Sequence, residues 1–400
     1  MQKLIDRPYY LNKLKLWKDK DDLIKIVTGI RRCGKSTLFK LFQNHLKAIG
    51  VCDQQIINLN LEDTKNEKFL DYKILHKHVE ELTLKNSINY VFIDEIQLVK
   101  DYQKAINSLR LKKNIDLYVT GSNAYMFAPL VTTLLSGRYI EIKMQPLSFK
   151  EYINLFEDKK DILNLYNNYI INGGFPQTVL LNNDKQLIQD YLIGLYNTII
   201  QKDIILRGQF KDISRLENVV RFLFDNIGNE TSIRNISNTL LSDKVQIHPQ
   251  TIESYIQGLV DSFLIYRTDR FDTKGKLYLK SNSKYYVSDM GLRLALLGNR
   301  NLDAGHILEN IVYLELIRRG YRVNIGKVGN LEVDFIAQSP EEIIYYQVSQ
   351  TLVDNKTLKR ELLPLQKLKD NYRKIIITTD TIAQSFGGIK TKNIIDFLLE

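Results

Sequence analysis

The sequence is poor in the residues that build covalently stapled or metal-bound scaffolds. Its 400 residues hold two cysteines, Cys33 and Cys52, with no ligand-like spacing between them. A disulfide framework is thereby excluded, and a reducing, cytoplasmic setting is expected. The five histidines are scattered; His76 and His78 lie two apart in a predicted helix, on different faces, and read as surface residues. Nowhere do eighteen or more apolar residues run together, so no membrane span is expected. The opening MQKLIDRPYYLNKLKLWKDKDD is too charged for a signal peptide. Internal repeats and low-complexity linkers are missing as well.

What remains is the make-up of an ordinary globular protein, 44% hydrophobic and 26% charged. The length suggests two or three domains. A net charge of +10 favours anionic partners such as nucleic acid, and serves equally as a plain solubility surface.

Between residues 22 and 147, short apolar runs alternate with amphipathic stretches. LIKIVTG (23–29), QIINLN (55–60), INYVFID (88–94), IDLYVTG (115–121) and RYIEIKM (138–144) read as strands buried on both faces. STLFKLFQNHLKAIG places Leu38, Leu41, Phe42 and Leu46 on one helical stripe and closes at Gly50. Such alternation predicts a parallel, helix-covered sheet over residues 1–147. Residues 148–228 read as a helical lid, broken by GGFP at 173–176. Residues 229–297 show helix, turn, helix and hairpin, the order of a winged helix. From 298 to 400 a separate α/β domain is expected, with a helix at ILENIVYLELIRRG, strands at YRVNIG, LEVDFIA, IIYYQVSQ and KIIITTD, and a helix at ELLPLQKLKDN.

The stretch VTGIRRCGKSTL (27–38) fits G-x-x-x-x-G-K-[ST] with Gly29, Gly34, Lys35 and Ser36. Glycines let successive N–H groups turn inward onto phosphate oxygens; Lys35 brings charge to the β- and γ-phosphates and Ser36 a hydroxyl to Mg²⁺. The helix that follows adds its N-terminal dipole. Arg31, Arg32, Cys33 and Thr37 complete the nucleotide-binding stretch; the arginines either add charge near phosphate or are simply tolerated there. Chance alone gives this pattern in roughly one chain in a hundred, and here an apolar strand runs in and an amphipathic helix runs out.

YVFIDEIQ (90–97) ends an apolar strand in Asp94, a candidate Mg²⁺ ligand, and Glu95, a candidate to polarise the attacking water. LYVTGSNA (117–124) ends in Thr120, Ser122 and Asn123, which either fill a turn or place a γ-phosphate sensor between the two sites. Arg138 is either a strand-end residue or an arginine finger for a neighbouring subunit, which implies an oligomer.

GIRRCGKSTL, VFIDEIQ, TGSNA, LSGRYIEIKMQPLSFKEY and GGFP, continued by LENIVYLELIRRGY, LEVDFIA and QVSQ, resemble the prokaryotic AAA-type ATPases that carry a C-terminal domain of unknown function. These are similar to the wider group of archaeal-type and signalling P-loop ATPases. The resemblance implies ATP binding and Mg²⁺-dependent hydrolysis, with no set substrate. The C-terminal part resembles the PD-(D/E)xK nuclease fold. Glu309 and Asp334 match its carboxylates, but Gln347 and Ser349 stand where a carboxylate and a lysine are needed, and Lys327 on a neighbouring strand is a candidate substitute for the lysine. The resemblance therefore implies the fold without the cleavage.

In the winged-helix stretch, QTIESYIQGLVD carries Glu253 and Asp261 and no Lys or Arg, a poor base reader. The hairpin 267–289 sets Arg267, Arg270, Lys274, Lys276, Lys280 and Lys284 against Asp269, Asp272 and Asp289, with Tyr278, Tyr285 and Tyr286 between them. It suits either the backbone of double-stranded DNA or a protein partner, or is a solvated hairpin. Three functions follow: a Mg-ATPase whose cycle moves C-terminal modules, a nucleotide-gated switch with negligible turnover, or a metal-dependent nuclease.

Overall fold

Strands whose every residue is buried need neighbours on both edges and helices on both faces, and the first sheet meets that demand at its centre. In the computed structural model, which describes residues 4–124, 137–208, 210–272, 277–298 and 304–400 (side chains of residues 207 and 277–281 excepted), five parallel strands form this sheet. They are β1 (Ile24–Gly29), β2 (Ile56–Asn60), β3 (Asn89–Asp94), β4 (Ile115–Gly121) and β5 (Tyr139–Met144), in the order β2-β3-β4-β1-β5. The three central strands are wholly buried, whereas the edges β2 and β5 expose alternate residues. β4 lies between β1 and β3, so the tip of β4 separates the loop after β1 from the end of β3.

The helix Lys35–Ala48 buries Leu38, Phe39, Phe42 and Leu46, with Phe39 and Phe42 packing edge-on against Phe92 of β3. It ends with Gly50 N–H on Lys47 C=O (3.0 Å) and Val51 N–H on Leu46 C=O (3.0 Å), the paired bonds of a Schellman stop. The central strands are not purely apolar. Lys25 in β1 is fully buried and ion-paired with Asp116 in β4, whose Oδ2 also accepts from Tyr118 OH (2.7 Å) and Asp19 N–H (2.9 Å). Burial lowers the Lys25 pKa and Asp116 opposes that shift.

The chain divides into two compact units, Met1–Pro146 with Asp261–Phe263, and Leu147–Val260 with Leu264–Glu400. In unit 2, helices Ile162–Asn172, Lys185–Thr198, Ile213–Asp225, Ile233–Ser242 and Pro249–Asp261 precede an eight-stranded sheet. Its strands are β6 (Ile265–Asp272), β7 (Leu277–Val287), β8 (Arg322–Val328), β9 (Leu331–Gln338), β10 (Ile343–Ser349), β11 (Arg373–Thr378), β12 (Ser385–Phe386) and β13 (Ile389–Asn393). Their order is β12-β13-β11-β10-β9-β8-β6-β7. The hairpin β6–β7 thus belongs to the same sheet as the C-terminal strands, because Arg270–Asp272 runs parallel to Ile325–Lys327. Residues expected as two domains, 229–297 and 298–400, share this sheet.

Two strands escape the sequence reading. β12 and β13 close through Gly387 and Gly388, both at positive φ (57° and 89°), with Phe386 opposite Ile389. Two consecutive left-handed residues define the tight hairpin turn that glycine alone enters freely. The GGFP segment is held by Asp289, whose carboxylate accepts from Gly174 N–H (2.6 Å) and caps the helix Met290–Leu297 through Leu292 N–H (2.9 Å). No helix among the described residues is long and apolar enough to cross a membrane.

Candidate functional site

The loop between β1 and the helix Lys35–Ala48 is built on three residues at positive φ: Gly29 at 146°, Arg32 at 65° and Gly34 at 105°. At Gly29 no side chain fits, since a Cβ there would stand 2.0 Å from Met144 O at the end of β5. Cys33 lies fully buried with its thiol 3.5 Å from the same carbonyl, and burial raises its pKa.

Lys35 is 5% exposed. Its ammonium donates to Gly29 O (2.9 Å) and Ile30 O (3.2 Å) and lies 4.0 Å from Glu95 Oε1. Ser36 is exposed on the first turn of the helix, with Thr37 half-buried behind it. Arg31 pairs with Glu62 (3.1 Å), and Arg32 is exposed.

At the end of β3, Asp94 and Glu95 are both buried. Thr120 of β4 fastens them, donating its hydroxyl to Asp94 Oδ1 and accepting from Glu95 N–H (2.9 Å). Glu95 itself takes a left-handed backbone conformation, φ 56°. Its Oε2 accepts a hydrogen bond from Gln97 Nε2, which also lies 3.4 Å from Ser122 Oγ. Asn123 follows, buried, at the tip of β4. Lys35, Asp94, Glu95 and the β4 tip therefore stand at one end of the sheet. Arg138 does not join them. It is exposed at the start of β5, where its carbonyl accepts from Ile24 N–H (3.0 Å), a strand length of roughly 17 Å from the loop end.

Two supports of the loop carry no sequence signature. Arg7, 2% exposed, donates to Cys33 O (2.8 Å), Gln145 O (2.7 Å) and Pro146 O (3.3 Å), and Tyr10 OH accepts from Gln145 N–H (3.1 Å). Their partners are main-chain atoms, which any residue supplies.

The donors fit a nucleotide phosphate with magnesium. Lys35 is a buried cation with carbonyl partners, and inward N–H groups are favoured by the alternating backbone handedness of the loop. Ser36 and Asp94 offer the hard oxygens that magnesium takes from protein, one or two at a time. Among the described residues, no group of three or more His, Cys, Asp or Glu gathers to hold a metal alone.

The second constellation is arranged differently from the sequence expectation. Glu309 Oε1 accepts from Lys284 Nζ (3.0 Å) and Tyr286 OH (2.7 Å), and Lys284 also pairs with Glu332 (2.6 Å). Asp334 Oδ2 accepts from Val348 N–H (2.7 Å); burial and then Glu309 hold its carboxyl well above the usual range, with Lys284 opposing. Gln347 Nε2 donates to Glu361 (2.9 Å), and Ser349 gives its hydroxyl to Thr351 O (3.1 Å). The cation that contacts both Glu309 and Glu332 is Lys284.

Lys284 is buried, Arg270 pairs with Glu230 (3.0 Å) and Arg267 with Asp269 (3.2 Å). Tyr285 and Tyr286 are core residues, Tyr286 stacked on Tyr313 at 4.2 Å. Lys274 and Lys276 lie outside the described residues, as do the side chains of Tyr278 and Lys280. His76 and His78 are half-buried rather than superficial, one bonded to Ser108 (2.8 Å), the other stacked on Phe69 (4.1 Å).

A parallel sheet with a glycine-lysine loop after its first strand, and paired carboxylates two strands away, defines a P-loop nucleotide-binding protein. Residues 21–153 match the family described as AAA domain, and residues 163–303 match a domain of unknown function, DUF8612. The chain is 39% identical over 402 residues to an uncharacterized protein of Haemophilus influenzae, covering 99% of each. It is 31% identical over 373 residues to an uncharacterized protein of Methanocaldococcus jannaschii, covering 87% of this chain and 79% of that one. The chain belongs to the family of these two proteins. It is also similar to the solved AMPPCP-bound DnaA of Aquifex aeolicus, at 13% identity and TM-score 0.31 over 64% of this chain and 93% of that one, too loosely to carry an argument.

Proposed function

We propose that the chain is a magnesium-dependent ATP hydrolase worked by Lys35, Asp94 and Glu95. One observation carries the proposal: the Lys35 ammonium lies 4.0 Å from the Glu95 carboxylate, at a buried junction where Thr120 ties Asp94 to the Glu95 N–H. Lys35 and the loop N–H groups take the phosphates, aided by the N-terminus of the helix behind them. Ser36 and Asp94 hold the metal, which when bound supplies charge neutralisation across the phosphate oxygens. Glu95 orients the attacking water and draws on its proton. Asn123, at the tip of the strand between the two sites, senses the γ-phosphate. A binding-only switch needs the same loop but has no use for a buried carboxylate beside Lys35.

Lys35→Ala is expected to lose ATP binding by calorimetry. Glu95→Gln is expected to bind within a few-fold of wild type and to lose turnover by about 100-fold or more. Wild-type hydrolysis by Lys35→Ala overturns the assignment. Arg138 serves as a finger only toward a second copy, because it stands at the wrong end of its own sheet. The C-terminal constellation is read as a nuclease-like fold without cleavage, supported by Lys284 and Glu361 engaging the residues that would bind metal and substrate.

A further inference from the structure

We propose that Gln97 is a positioning residue of this site: its amide N–H fixes the Glu95 carboxylate, and its amide oxygen receives the second hydrogen of the water that Glu95 activates. The assignment rests on the hydrolase reading above and deepens it.

Gln97 Nε2 donates to Glu95 Oε2 and lies 3.4 Å from Ser122 Oγ, so one amide spans the tips of β3 and β4. A carboxylate oxygen accepts, so the nitrogen of the amide faces Glu95 and the oxygen is left for another donor. That oxygen, Gln97 Oε1, is buried and has no hydrogen-bond partner among the described residues. Buried acceptors are nearly always satisfied by protein or ordered water, and the orphan here sits beside the proposed base. The backbone enforces the juxtaposition. Glu95 holds φ 56°, rare for a residue with a side chain, and the turn Ile96–Leu98 closes with Leu98 N–H on Glu95 O (3.0 Å), setting Gln97 next to Glu95. A water held by a carboxylate at one hydrogen and an amide oxygen at the other has its lone pair fixed for attack.

The test uses the full chain and two variants. Gln97→Leu removes both polar atoms at similar volume; Gln97→Glu keeps an acceptor but places a like charge beside Glu95. For Gln97→Leu, ATP affinity by calorimetry and KM are expected within about three-fold of wild type, while kcat falls about 100-fold. For Gln97→Glu, which keeps an acceptor but loses the amide donor to Glu95, the same split is expected: nucleotide affinity within about three-fold of wild type and kcat lower by about 10-fold or more. Turnover within three-fold of wild type in Gln97→Leu or in Gln97→Glu, or a KM that rises as much as kcat falls, overturns the proposal. If wild type turns over and Glu95→Gln abolishes it, either result removes Gln97 alone. If wild type never hydrolyses ATP, the hydrolase reading falls and takes Gln97 with it. Should Gln97→Leu fail to fold by circular dichroism, the Gln97→Glu kcat and KM decide.

Discussion

Replacing Lys284 by Met removes one charge from a buried ionic cluster in unit 2 while leaving most of the side-chain volume. Lys284 is 6% exposed at its side chain and contacts Glu309 at 3.0 Å and Glu332 at 2.6 Å. Burial alone would lower its pKa; Glu309, Asp334 and Glu332 outweigh that and hold it above the ordinary value. The ammonium is therefore charged throughout the accessible pH range. Breaking a buried pair from one side costs about 3–5 kcal/mol, because the remaining charge stays buried without compensation. In a unit of this size that corresponds to a melting point lower by roughly 10 °C.

The pH dependence has a definite sign. Asp334 has a folded pKa above its unfolded one, so its contribution is present at low pH and is lost as pH rises through the folded value. Removing Lys284 leaves the carboxylates facing one another, so the deficit should be small near pH 4.5 and grow toward pH 8. Differential scanning calorimetry of the full chain across that range measures it. Adding Glu309→Gln to Lys284→Met should recover part of the loss. A variant melting within 2 °C of wild type at pH 7, or a deficit that shrinks as pH rises, refutes the ionic account.

Two further outcomes follow from single positions. Burial pushes the Asp289 carboxyl up to about 6 against the N–H groups of Gly174, Leu292 and Gly291. Its stabilising contribution is thus lost between about pH 4 and 6, amounting to about 3 kcal/mol by neutrality; Asp289→Asn should flatten that slope, read as the difference between the two melting-point profiles. Gly29→Ala forces a Cβ to within 2.0 Å of Met144 O and should cost at least about 2 kcal/mol while abolishing ADP binding in a titration. Normal binding by a folded Gly29→Ala protein would show that the loop has room it is not supposed to have.

The strands of unit 1 were legible because burial on both faces leaves an unbroken apolar run, and all five lie within a residue of their expected bounds. Strand order was not legible, since nothing local says that β4 inserts between β1 and β3. Lys25 and Asp116 passed unnoticed for the same reason: each looks like an error in an apolar strand until the pairing of β1 with β4 brings them together. Counting the hairpin's charges along the sequence leaves out its tertiary partners. Glu230, Glu309 and Glu332 lie far along the chain, and only the tertiary fold pairs them with Arg270 and Lys284. The Gly387–Gly388 turn was written in the sequence and overlooked, whereas Arg7, which bonds main-chain carbonyls, left nothing to read. The helix expected at ELLPLQKLKDN starts earlier, at Asn355 behind the cap of Asp354, and tolerates Pro364 in its later turns.

Because β6 lies between β7 and β8, the C-terminal hundred residues are no free-standing cassette. A fragment beginning at residue 298 would keep β8 but lose the strand hydrogen-bonded along Ile325–Lys327, and it would carry Glu309 and Glu332 without their ammonium. The complementary piece would end with β6 as a bare ribbon margin. Both halves would present open peptide groups suited to self-stacking, so useful truncations of this protein should fall before the hairpin rather than after it.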